Sequence, residues 1–514
     1  MTDFVELVDL AAERFGGSVL WATDDFFAEK ENLLKPEEPV FIEGKYTDRG
    51  KWMDGWESRR KRSYAQTSVE YREHDVCIIR LGLSGIVRGV VVDTTHFKGN
   101  YPKSCMLEGA SIPGYPDVTD LLWDKIKWTS VLPRTDLKGD TKNKFSIDSN
   151  ERFTHLRFTI FPDGGVARLR VHGDVVPDAR WLGRSDRPQL VDLAAAENGA
   201  LVVSCNDMFF GSRHNLIMPG RGVNMGDGWE TKRSRRPGPD WVVVRLAARG
   251  AIERAIVDTH HFKGNAPDAC AIDIATSGID PDGSKDDAWR PLLPKTKLQP
   301  HTQHIFEDEV LSAGDATHVR LRIWPDGGIS RLRLFGIVSP EGRERSGMRY
   351  LRAMPDPQLE SALRSCCGST TWVEKMIAER ASFTTLAALE KIATDIWNAC
   401  SPADWDEAFK AHPRIGEKKA EGHQSKTAQA WSAKEQSLVT EANPAVLEEL
   451  REVNKAYEER FGRIYIVCAT GKSAEELLAI AKERMRSDPE TELRRAADEQ
   501  RRITKLRLGK LVLR

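Results

Sequence analysis

Charged and polar side chains occupy equivalent positions in two copies of one stretch of the sequence. Residues 91–100 (VVDTTHFKGN) and 256–265 (IVDTHHFKGN) match at eight of ten positions. In both copies a carboxylate, an imidazole and an ammonium group follow an apolar run. A loop at a strand end can bring such groups together around a small polar substrate. The candidate binding residues are Asp93, His96 and Lys98 in the first copy and Asp258, His261 and Lys263 in the second.

Two further motifs add acids and arginines to each copy. DGWE occurs at 54–57 and 227–230, and RLR follows a PDGG turn at 168–170 and 331–333. The acids can serve as acid, base or metal ligands, and two arginines two positions apart on a strand share a face and can hold a carboxylate. No dense His/Cys/Asp spacing identifies a metal, so the use of a divalent metal stays open. The residues concerned are Asp54, Glu57, Arg168, Arg170, Asp227, Glu230, Arg331 and Arg333.

The last third of the chain contains a different set of reactive groups. HPRIGE (412–417) is followed by WSAKEQ (431–436), YIVCATG (465–471) and LRLGKLVLR (506–514). An imidazole whose pKa is near neutrality can deliver a proton, and carboxylate and amide groups can hold the N–H groups of a substrate. A single histidine before a proline is usually structural, but the ordered set favours a site around His412.

Strands must position the groups of the two copies. Short β-rich runs such as CIIRLGL (77–83) recur at equivalent places, LRFTIF alternates with period two, and PDGG predicts a tight hairpin between two strands. The offset between the copies shrinks from 183 to 163 residues, which indicates loop insertions between fixed elements, and the first copy has extra residues between its FF and DGWE motifs. We therefore predict two all-β jelly-roll or β-sandwich repeats, at 1–180 and 181–340.

Helical periodicity replaces strand alternation in the last third. Residues 341–356 are polar and are predicted to be a linker, and apolar residues then recur every three or four positions from 357 to 514. Ser432 and Ser473 are predicted N-caps, and YIVCATG is predicted to be a buried extended piece. The third domain is therefore predicted to be an all-α helical bundle.

Overall composition limits the classes of protein to which the chain can belong. The formal net charge of −1 gives no electrostatic footprint for nucleic acid, and no apolar run is long enough to span a membrane. The eight cysteines form no CxxC pair, and Cys105 and Cys270 take equivalent places, which is typical of buried apolar residues. We expect a reduced, cytoplasmic homo-oligomer that acts on small molecules and has no nucleic-acid or membrane partner.

The order DGWE, VDTxHFKGN and PDGG with RLR, present twice within residues 1–340, resembles the allantoicase family. The resemblance implies two jelly-roll repeats and hydrolysis of allantoate to (S)-ureidoglycolate and urea. It also implies that the acids, histidines, lysines and arginines named above contact the substrate. Repeat two lacks the extra residues before DGWE, which leaves open whether one or both repeats carry the site.

The HP, SxxEQ, YIVCATG and LR segments within residues 357–514 resemble the decarboxylase of 2-oxo-4-hydroxy-4-carboxy-5-ureidoimidazoline (OHCU). The resemblance implies an all-α domain that releases CO₂ to give (S)-allantoin without a cofactor, with His412 as acid/base and Glu435 as a second catalytic residue. The sequence departs from the family at Arg414, where many relatives have Asp, and in a long stretch between HP and EQ, which is expected to form a loop. The implied substrate-binding residues are Pro413, Ser432, Gln436, Val467, Cys468, Ala469, Gly471 and Arg507, with Arg484 as a competitor for the carboxylate-binding role of Arg507.

The sequence thus predicts a bifunctional enzyme of ureide and purine catabolism that needs no cofactor. The alternative is a tandem jelly-roll ligand-binding protein with a helical oligomerisation domain. The set formed by His412, Glu435 and Gln436 distinguishes the two, because an oligomerisation domain does not need it.

Overall fold

The chain is divided into two compact units. The computed structural model describes residues 3–61, 73–122, 126–182, 187–235, 237–415, 425–435 and 443–513. The units are Met1–Arg343, which contains both repeats, and Glu344–Arg514, which is helical.

The two repeats have the same succession of main strands. Repeat one contains β1 (Val8–Asp9), β2 (Ser18–Ala22), β3 (Tyr46–Thr47), β4 (Gly50–Lys51), β5 (Trp56–Glu57), β6 (Asp75–Asp93), β7 (Ser104–Ala110), helix α1 (Val118–Leu121), β8 (Thr129–Asp136), β9 (Lys142–Ser146), β10 (Arg152–Phe161), β11 (Gly165–Val166) and β12 (Arg168–Val175). Repeat two contains β13 (Val191–Asp192), β14 (Leu201–Cys205), β15 (Trp229–Glu230), β16 (Asp240–Asp258), β17 (Ala269–Ala275), β18 (Arg290–Lys297), β19 (Gln303–Phe306), β20 (Asp315–Trp324), β21 (Gly328–Ile329) and β22 (Arg331–Val338).

A 19-residue strand joins the two layers of each repeat. In repeat one the first part of β6 pairs with β2 and β10, whereas its second part pairs with β9 and β12. Strand β10 continues the first layer through β7 to β8, and β12 continues the second layer to β1. Strand β16 has the same pattern of partners in repeat two. Each repeat is therefore a β-sandwich, which confirms the predicted fold class.

Apolar side chains from both layers fill each sandwich. The tryptophans of the two DGWE motifs, Trp56 and Trp229, are fully buried, and each donates its indole N–H to a backbone carbonyl at 2.8 Å. Cys105 and Cys270 are fully buried as well, which confirms their prediction as core residues. The tryptophan thus fixes each DGWE motif in the core, and the two acids of the motif lie on either side of it, at the edge of the core.

The predicted hairpin around PDGG is wrong. Within the described residues, β10 and β12 do not pair with each other but with different parts of β6. The turn between them leads into β11, which pairs with β5 and so holds the DGWE motif. A turn sequence predicts that the chain reverses direction locally. It does not determine which strand pairs with the strands on either side of the turn, because that depends on long-range packing.

The second unit is all-α, as predicted. Its helices, the first of which starts four residues before the unit, are α2 (Pro340–Ala353), α3 (Asp356–Cys366), α4 (Thr370–Ala378), α5 (Leu386–Asn398), α6 (Pro402–Lys410), α7 (Lys426–Glu435), α8 (Pro444–Phe461), α9 (Ala474–Arg484) and α10 (Pro489–Val512). The YIVCATG segment is extended and buried from Tyr465 to Ala469, which confirms its prediction. None of the helices that the structure describes is long and apolar enough to cross a membrane.

The stretch predicted to be a linker is mostly helical. Helix α2 covers Pro340–Ala353, and Met348 and Leu351 are buried in the core of the helical unit. Gly347 allows a close contact there, since an added Cβ would lie 2.0 Å from the carbonyl oxygen of Val512. The glycine indicated a loop in the sequence, whereas the fold requires it for helix packing.

One of the two predicted N-caps is wrong. Ser473 caps α9 in a capping box with Glu476. Ser432 lies inside α7, because that helix already begins at Lys426. The predicted loop between HP and EQ is therefore partly helical, and its residues 416–424 lie outside the described residues.

Candidate active sites

Repeat one contains a cavity of about 530 Å³ beside the DGWE and VDTTHFKGN motifs. Three of the residues predicted from the sequence, Glu57, His96 and Lys98, lie on its wall together. The complete lining is Phe27, Phe41, Lys51, Met53, Glu57, His96, Lys98, Gly99 and Asn100. Acid, imidazole and ammonium groups thus converge on one space large enough for a small substrate.

Glu57 is the carboxylate of this cavity. It is half-buried at the end of β5, and its Oε1 accepts a hydrogen bond from the side-chain amide of Asn100 at 2.7 Å. Burial raises the pKa of Glu57; the hydrogen bond from Asn100 opposes this shift, and the negative charge of Asp163 adds to it. A carboxylate with a raised pKa is a stronger base than an ordinary glutamate.

His96 is held in an uncommon backbone conformation. Its φ of 71° lies in the left-handed region, which costs a residue with a side chain about 1 to 3 kcal/mol. Its amide donates to Oδ1 of Asp140 at 2.8 Å, and its ring Nε2 lies 3.1 Å from the carbonyl oxygen of Pro39. Because a carbonyl only accepts, Nε2 carries a proton, and Nδ1 is the nitrogen that can exchange one.

Two lysines stand at the cavity. The ammonium group of Lys51 lies 4.7 Å from the ring centre of Phe41, and that of Lys98 is mostly exposed, 3.9 Å from Asp140. Lys51, Phe41 and Met53 belong to residues 41–53, which lie between Val40 and the DGWE motif of repeat one. In repeat two only residues 224–226 lie between the equivalent valine, Val223, and the DGWE motif. Sequence reasoning recorded this insertion but did not recognise it as a wall of the site.

The remaining predicted residues of repeat one support the cavity and do not line it. Arg168 is buried, donates to Oδ2 of Asp54 at 2.8 Å, and uses its other nitrogens on backbone carbonyls, including that of Glu37 at 2.9 Å. Burial raises the pKa of Asp54, but hydrogen bonds from Arg168 and the amide of Val40, with the charge of Arg168, more than reverse this and lower it. The pair therefore fixes the segment from which residues 41–53 start.

Asp93 and Arg170 also bond to the backbone. Asp93 is buried and accepts the amide of Thr95 at 2.8 Å, which turns the chain just before His96. Arg170 donates to the carbonyl of Lys35 and lies 3.9 Å from Asp9. The two arginines of RLR thus have protein partners, and a direct contact of both with a substrate carboxylate remains a prediction.

Repeat two reproduces this frame without the inserted segment. Asp227 and Arg331 pair at 2.7 Å, and Glu230 accepts from Asn265 at 2.5 Å. His261 has a φ of 72°, and its Nε2 lies 2.9 Å from the carbonyl oxygen of Gly222. The other predicted residues lie nearby: Asp258 is buried against Arg221, Lys263 is exposed, and Arg333 donates to the carbonyl of Gly220 at 2.9 Å.

A metal site is not recognisable in the described part of either unit. No group of three or more His, Cys, Asp or Glu side chains there has an arrangement that could hold a metal ion.

The helical unit brings most of its predicted residues together in a second, narrow pocket. His412, Pro413, Ser432, Glu435 and the YIVCATG segment line it, with apolar residues of α10. The complete lining is His412, Pro413, Ile415, Ser432, Glu435, Tyr465, Ile466, Val467, Cys468, Ala469, Thr470, Ile503 and Leu506. Gly471 directly follows Thr470 of this lining, and Gln436 lies outside the described residues.

Glu435 binds two cationic side chains at this pocket. Arg507 donates to Glu435 Oε2 and to the Ser432 hydroxyl, both at 2.9 Å, and Lys510 donates to Glu435 Oε1 at 2.8 Å. Burial raises the pKa of Glu435, but the hydrogen bonds and charges of Arg507 and Lys510 more than reverse this and lower it. Glu435 is therefore ionised, and two cations lie beside one carboxylate.

Arg484, the sequence-based competitor of Arg507, is committed elsewhere. It is buried and donates to Glu492 and to the carbonyl oxygen of Ile466, each at 2.7 Å. Glu492 is itself fully buried. Arg507 is likewise buried and bonded to Glu435, Ser432 and the carbonyl oxygen of Ser365, so its contact with a substrate carboxylate remains a prediction.

His412 does not have the near-neutral pKa expected for a proton donor. Burial, followed by the positive charge of Arg507, lowers its pKa to about 3, against opposing effects of Glu435 and of the Gln500 side chain. The free imidazole is therefore neutral. Gln500, which sequence reasoning missed, is fully buried and precedes Arg507 by seven positions on α10, so it lies on the same helix face.

Two further contacts refine the predicted substrate contacts. The amide of Cys468 already donates to Oε2 of Glu499 at 2.7 Å, so it is occupied, whereas the neighbouring Val467 and Ala469 remain candidates. Arg414, which departs from the family pattern, donates to Oε1 of Glu458 at 2.6 Å on α8. Its ion pair accounts for a charged residue near His412.

Comparisons with known proteins identify a family for each of the two parts of the chain. A family model described as allantoicase repeat matches residues 8–176 and 191–339, and one described as OHCU decarboxylase matches residues 352–509. The protein named "Probable allantoicase 1" of Burkholderia mallei is 47% identical over 335 residues, which cover 64% of this chain and 94% of the relative.

Solved structures are also similar. An allantoicase crystal structure from Saccharomyces cerevisiae has 34% identity and a TM-score of 0.52, and covers 64% of this chain and 92% of its own. An OHCU decarboxylase structure determined in the presence of (S)-allantoin has 36% identity over 30% of this chain and 97% of its own, with a TM-score of 0.26.

The two family matches define the class of the protein as a fusion of a hydrolase with a decarboxylase. The chain belongs to the allantoicase family, and its residues 352–509 form an OHCU decarboxylase domain. It is a bifunctional enzyme of the allantoin pathway, which confirms the predicted function over the alternative of a ligand-binding protein.

Proposed function

We propose that allantoate is hydrolysed in the cavity of repeat one. The observation that carries this proposal is Glu57, a half-buried carboxylate with a raised pKa that shares the cavity with His96. Replacing a ureido group by water requires a base that takes a proton from water and an acid that gives one to the nitrogen of the leaving urea. Glu57 takes the first proton, and His96, when protonated at Nδ1, supplies the second.

The other residues of repeat one bind or position. Lys51 and Lys98 attract the allantoate carboxylate to the cavity, and Phe41 shields it from water on one side. Asp54 with Arg168, and Asp93 with the following turn, keep the two loops in place. Repeat two retains this supporting frame but does not hydrolyse allantoate, so each chain has one hydrolytic site.

Urea release from allantoate by the full chain tests this proposal. We expect urea both after treatment with a chelator and with added Mn²⁺, at rates that depend on Glu57. Release that requires Mn²⁺ would add a metal to the site, and no urea under either condition would refute the proposal.

In the helical domain the proposed roles are carboxylate binding by Arg507 and proton transfer by His412. Loss of CO₂ from C4 of OHCU leaves an electron pair that the ring C=N absorbs, so no organic cofactor or metal is needed. The neutral imidazole can take the proton of the 4-hydroxyl as it becomes a carbonyl and return one to C5, while solvent supplies the proton that balances the lost carboxylate. Ionised Glu435 holds N–H groups of the substrate.

CO₂ release from the freshly formed product of urate oxidation tests these roles. His412→Ala should abolish the stereospecific reaction and leave urea release from allantoate unchanged. A wild-type rate of CO₂ release in that variant would remove His412 from the mechanism.

A homo-oligomer in a reducing, cytoplasmic environment is the remaining proposal. Exposed apolar side chains such as Trp181 and Tyr115 support association, and eight free cysteines support the compartment. Light scattering of the purified chain should give a multiple of its 57.8 kDa mass. A monomer at micromolar concentration would contradict the first part.

A further inference from the structure

Repeat two keeps the backbone frame of the repeat-one site but not its rim. The amide of His96 donates to Asp140 at 2.8 Å, and the amide of His261 donates to Nδ1 of His301 at 2.9 Å. Asp140 and His301 both have a positive φ, at 51° and 53°. These two residues therefore occupy equivalent positions with different chemistry.

The rim of repeat two is cationic where that of repeat one is neutral. In repeat one Glu38 pairs with Lys142 at 2.7 Å, and Asp140 lies 3.9 Å from Lys98. Basic side chains replace both acids in repeat two. The equivalent sets are Glu38, Thr95, Asp140 and Lys142 in repeat one and Arg221, His260, His301 and Gln303 in repeat two.

The basic side chains of repeat two lie against one another at the surface. The ring of His260 is 4.0 Å from that of His261 and 4.4 Å from that of His301, centre to centre. Arg221 lies 3.2 Å from the buried Asp258, and its side chain is 53% exposed. Partial desolvation and the charges of Arg221 and the two other imidazoles lower the pKa of His260. An anion placed here would be attracted by the charge of Arg221 and could accept hydrogen bonds from the imidazole N–H groups.

Groups suited to a ureide occupy positions of repeat two that are equivalent to the lining of the repeat-one cavity. Glu230, held by Asn265 at 2.5 Å, can accept the N–H groups of a ureido substituent. Nδ1 of His301 accepts the amide of His261, so its Nε2 carries a proton and can donate. Phe210, equivalent to Phe27 of the repeat-one cavity, is 62% exposed and provides an apolar surface.

We infer that repeat two binds a second small ureide anion, whose carboxylate is held by Arg221, His260 and His301 and whose ureido group is held by Glu230. The identity of the ligand as allantoate rests on the proposed function of repeat one. This site binds without hydrolysis, because repeat two lacks the segment that closes the cavity of repeat one.

Calorimetric titration of the full chain with allantoate tests the inference. The titration uses Glu57→Gln as background, so that turnover does not consume the ligand. The variant R221E/H260T/H301D/Q303K gives repeat two the rim of repeat one, including a lysine to pair with the new acid. We expect it to lose one allantoate site per chain, and in the wild-type background to release urea at the wild-type rate.

Controls separate the possible results. Lys285→Glu reverses an exposed charge beyond the opposite end of β17 and should keep both sites; H260T/H301D should lose the same site if the fourfold variant does not fold. An unchanged number of sites in both rim variants would overturn the inference. So would Zn²⁺ binding to the cluster without allantoate binding. Absence of urea release by the wild-type chain would instead count against the proposed function.

Discussion

Replacement of Glu57 by glutamine should strongly reduce urea release without unfolding the chain. Glutamine has the same shape, and its side-chain oxygen can still accept the 2.7 Å hydrogen bond from Asn100. The variant loses only the base. A positioned base contributes about 10²- to 10⁴-fold to a rate, which is about 3 to 5 kcal/mol of barrier. We expect kcat to fall by that factor and KM to change little, because Lys51 and Lys98 remain.

The chain contains a matched control for this experiment. Glu230 accepts from Asn265 as Glu57 does from Asn100, but repeat two lacks the wall formed by residues 41–53. Glu230→Gln should therefore leave the rate of urea release near that of the wild type. Equal losses in the two variants would mean that both repeats are catalytic. A loss confined to Glu230→Gln would refute the assignment to repeat one.

The pH profile of urea release provides a second criterion for Glu57. The base acts when ionised, and burial raises its pKa above the ordinary value of 4.5. Activity should therefore fall as the pH drops through a value higher than 4.5. The residual activity of Glu57→Gln should lack this dependence, and an acid limb that survives in the variant would show that another group titrates.

Three further outcomes are expected. Arg168→Met should lower the free energy of unfolding by about 3 to 5 kcal/mol, because it leaves the buried Asp54 carboxylate unpaired; denaturant titration should show partial recovery when Asp54→Asn is added, and no loss would contradict the pairing. Gln500→Glu should raise the pKa of His412 and shift the acid limb of CO₂ release to higher pH, whereas an unmoved limb would separate the two residues. Arg507→Lys should raise KM for OHCU in initial-rate measurements, because an ammonium group cannot replace the forked contact to a carboxylate; an unchanged KM would contradict that role.

Local pattern was sufficient for the fold class and for part of each site. Alternation in LRFTIF and spacing of three and four in the last third predicted strands and helices, since these periods follow directly from backbone geometry. Glu57, His96 and Lys98 were found because reactive side chains stood beside turn residues in both copies. The pairing of β10 and β12 with β6 could not be read, because strand pairing depends on contacts far apart in sequence.

Burial was the other quantity that the sequence did not disclose. His412 was expected to titrate near neutrality, but its place inside the helical unit lowers its pKa to about 3. Lys51 is exposed and was missed for a different reason. Lys51 reaches the cavity because residues 41–53 form a loop over it. In the sequence alone, such an insertion cannot be distinguished from any other surface loop.

Recurrence of charged residues in both repeats was first taken as evidence that they contact substrate. The structure gives part of that recurrence another cause, since Asp54 with Arg168 and Asp227 with Arg331 are ion pairs that fix the entry to each DGWE motif. Such a pair must be kept as a unit, because losing one partner leaves a buried charge. Duplicated acids and arginines therefore do not by themselves indicate duplicated catalysis. The difference between the repeats, residues 41–53 and the charge of the rim, is the better guide to where hydrolysis takes place.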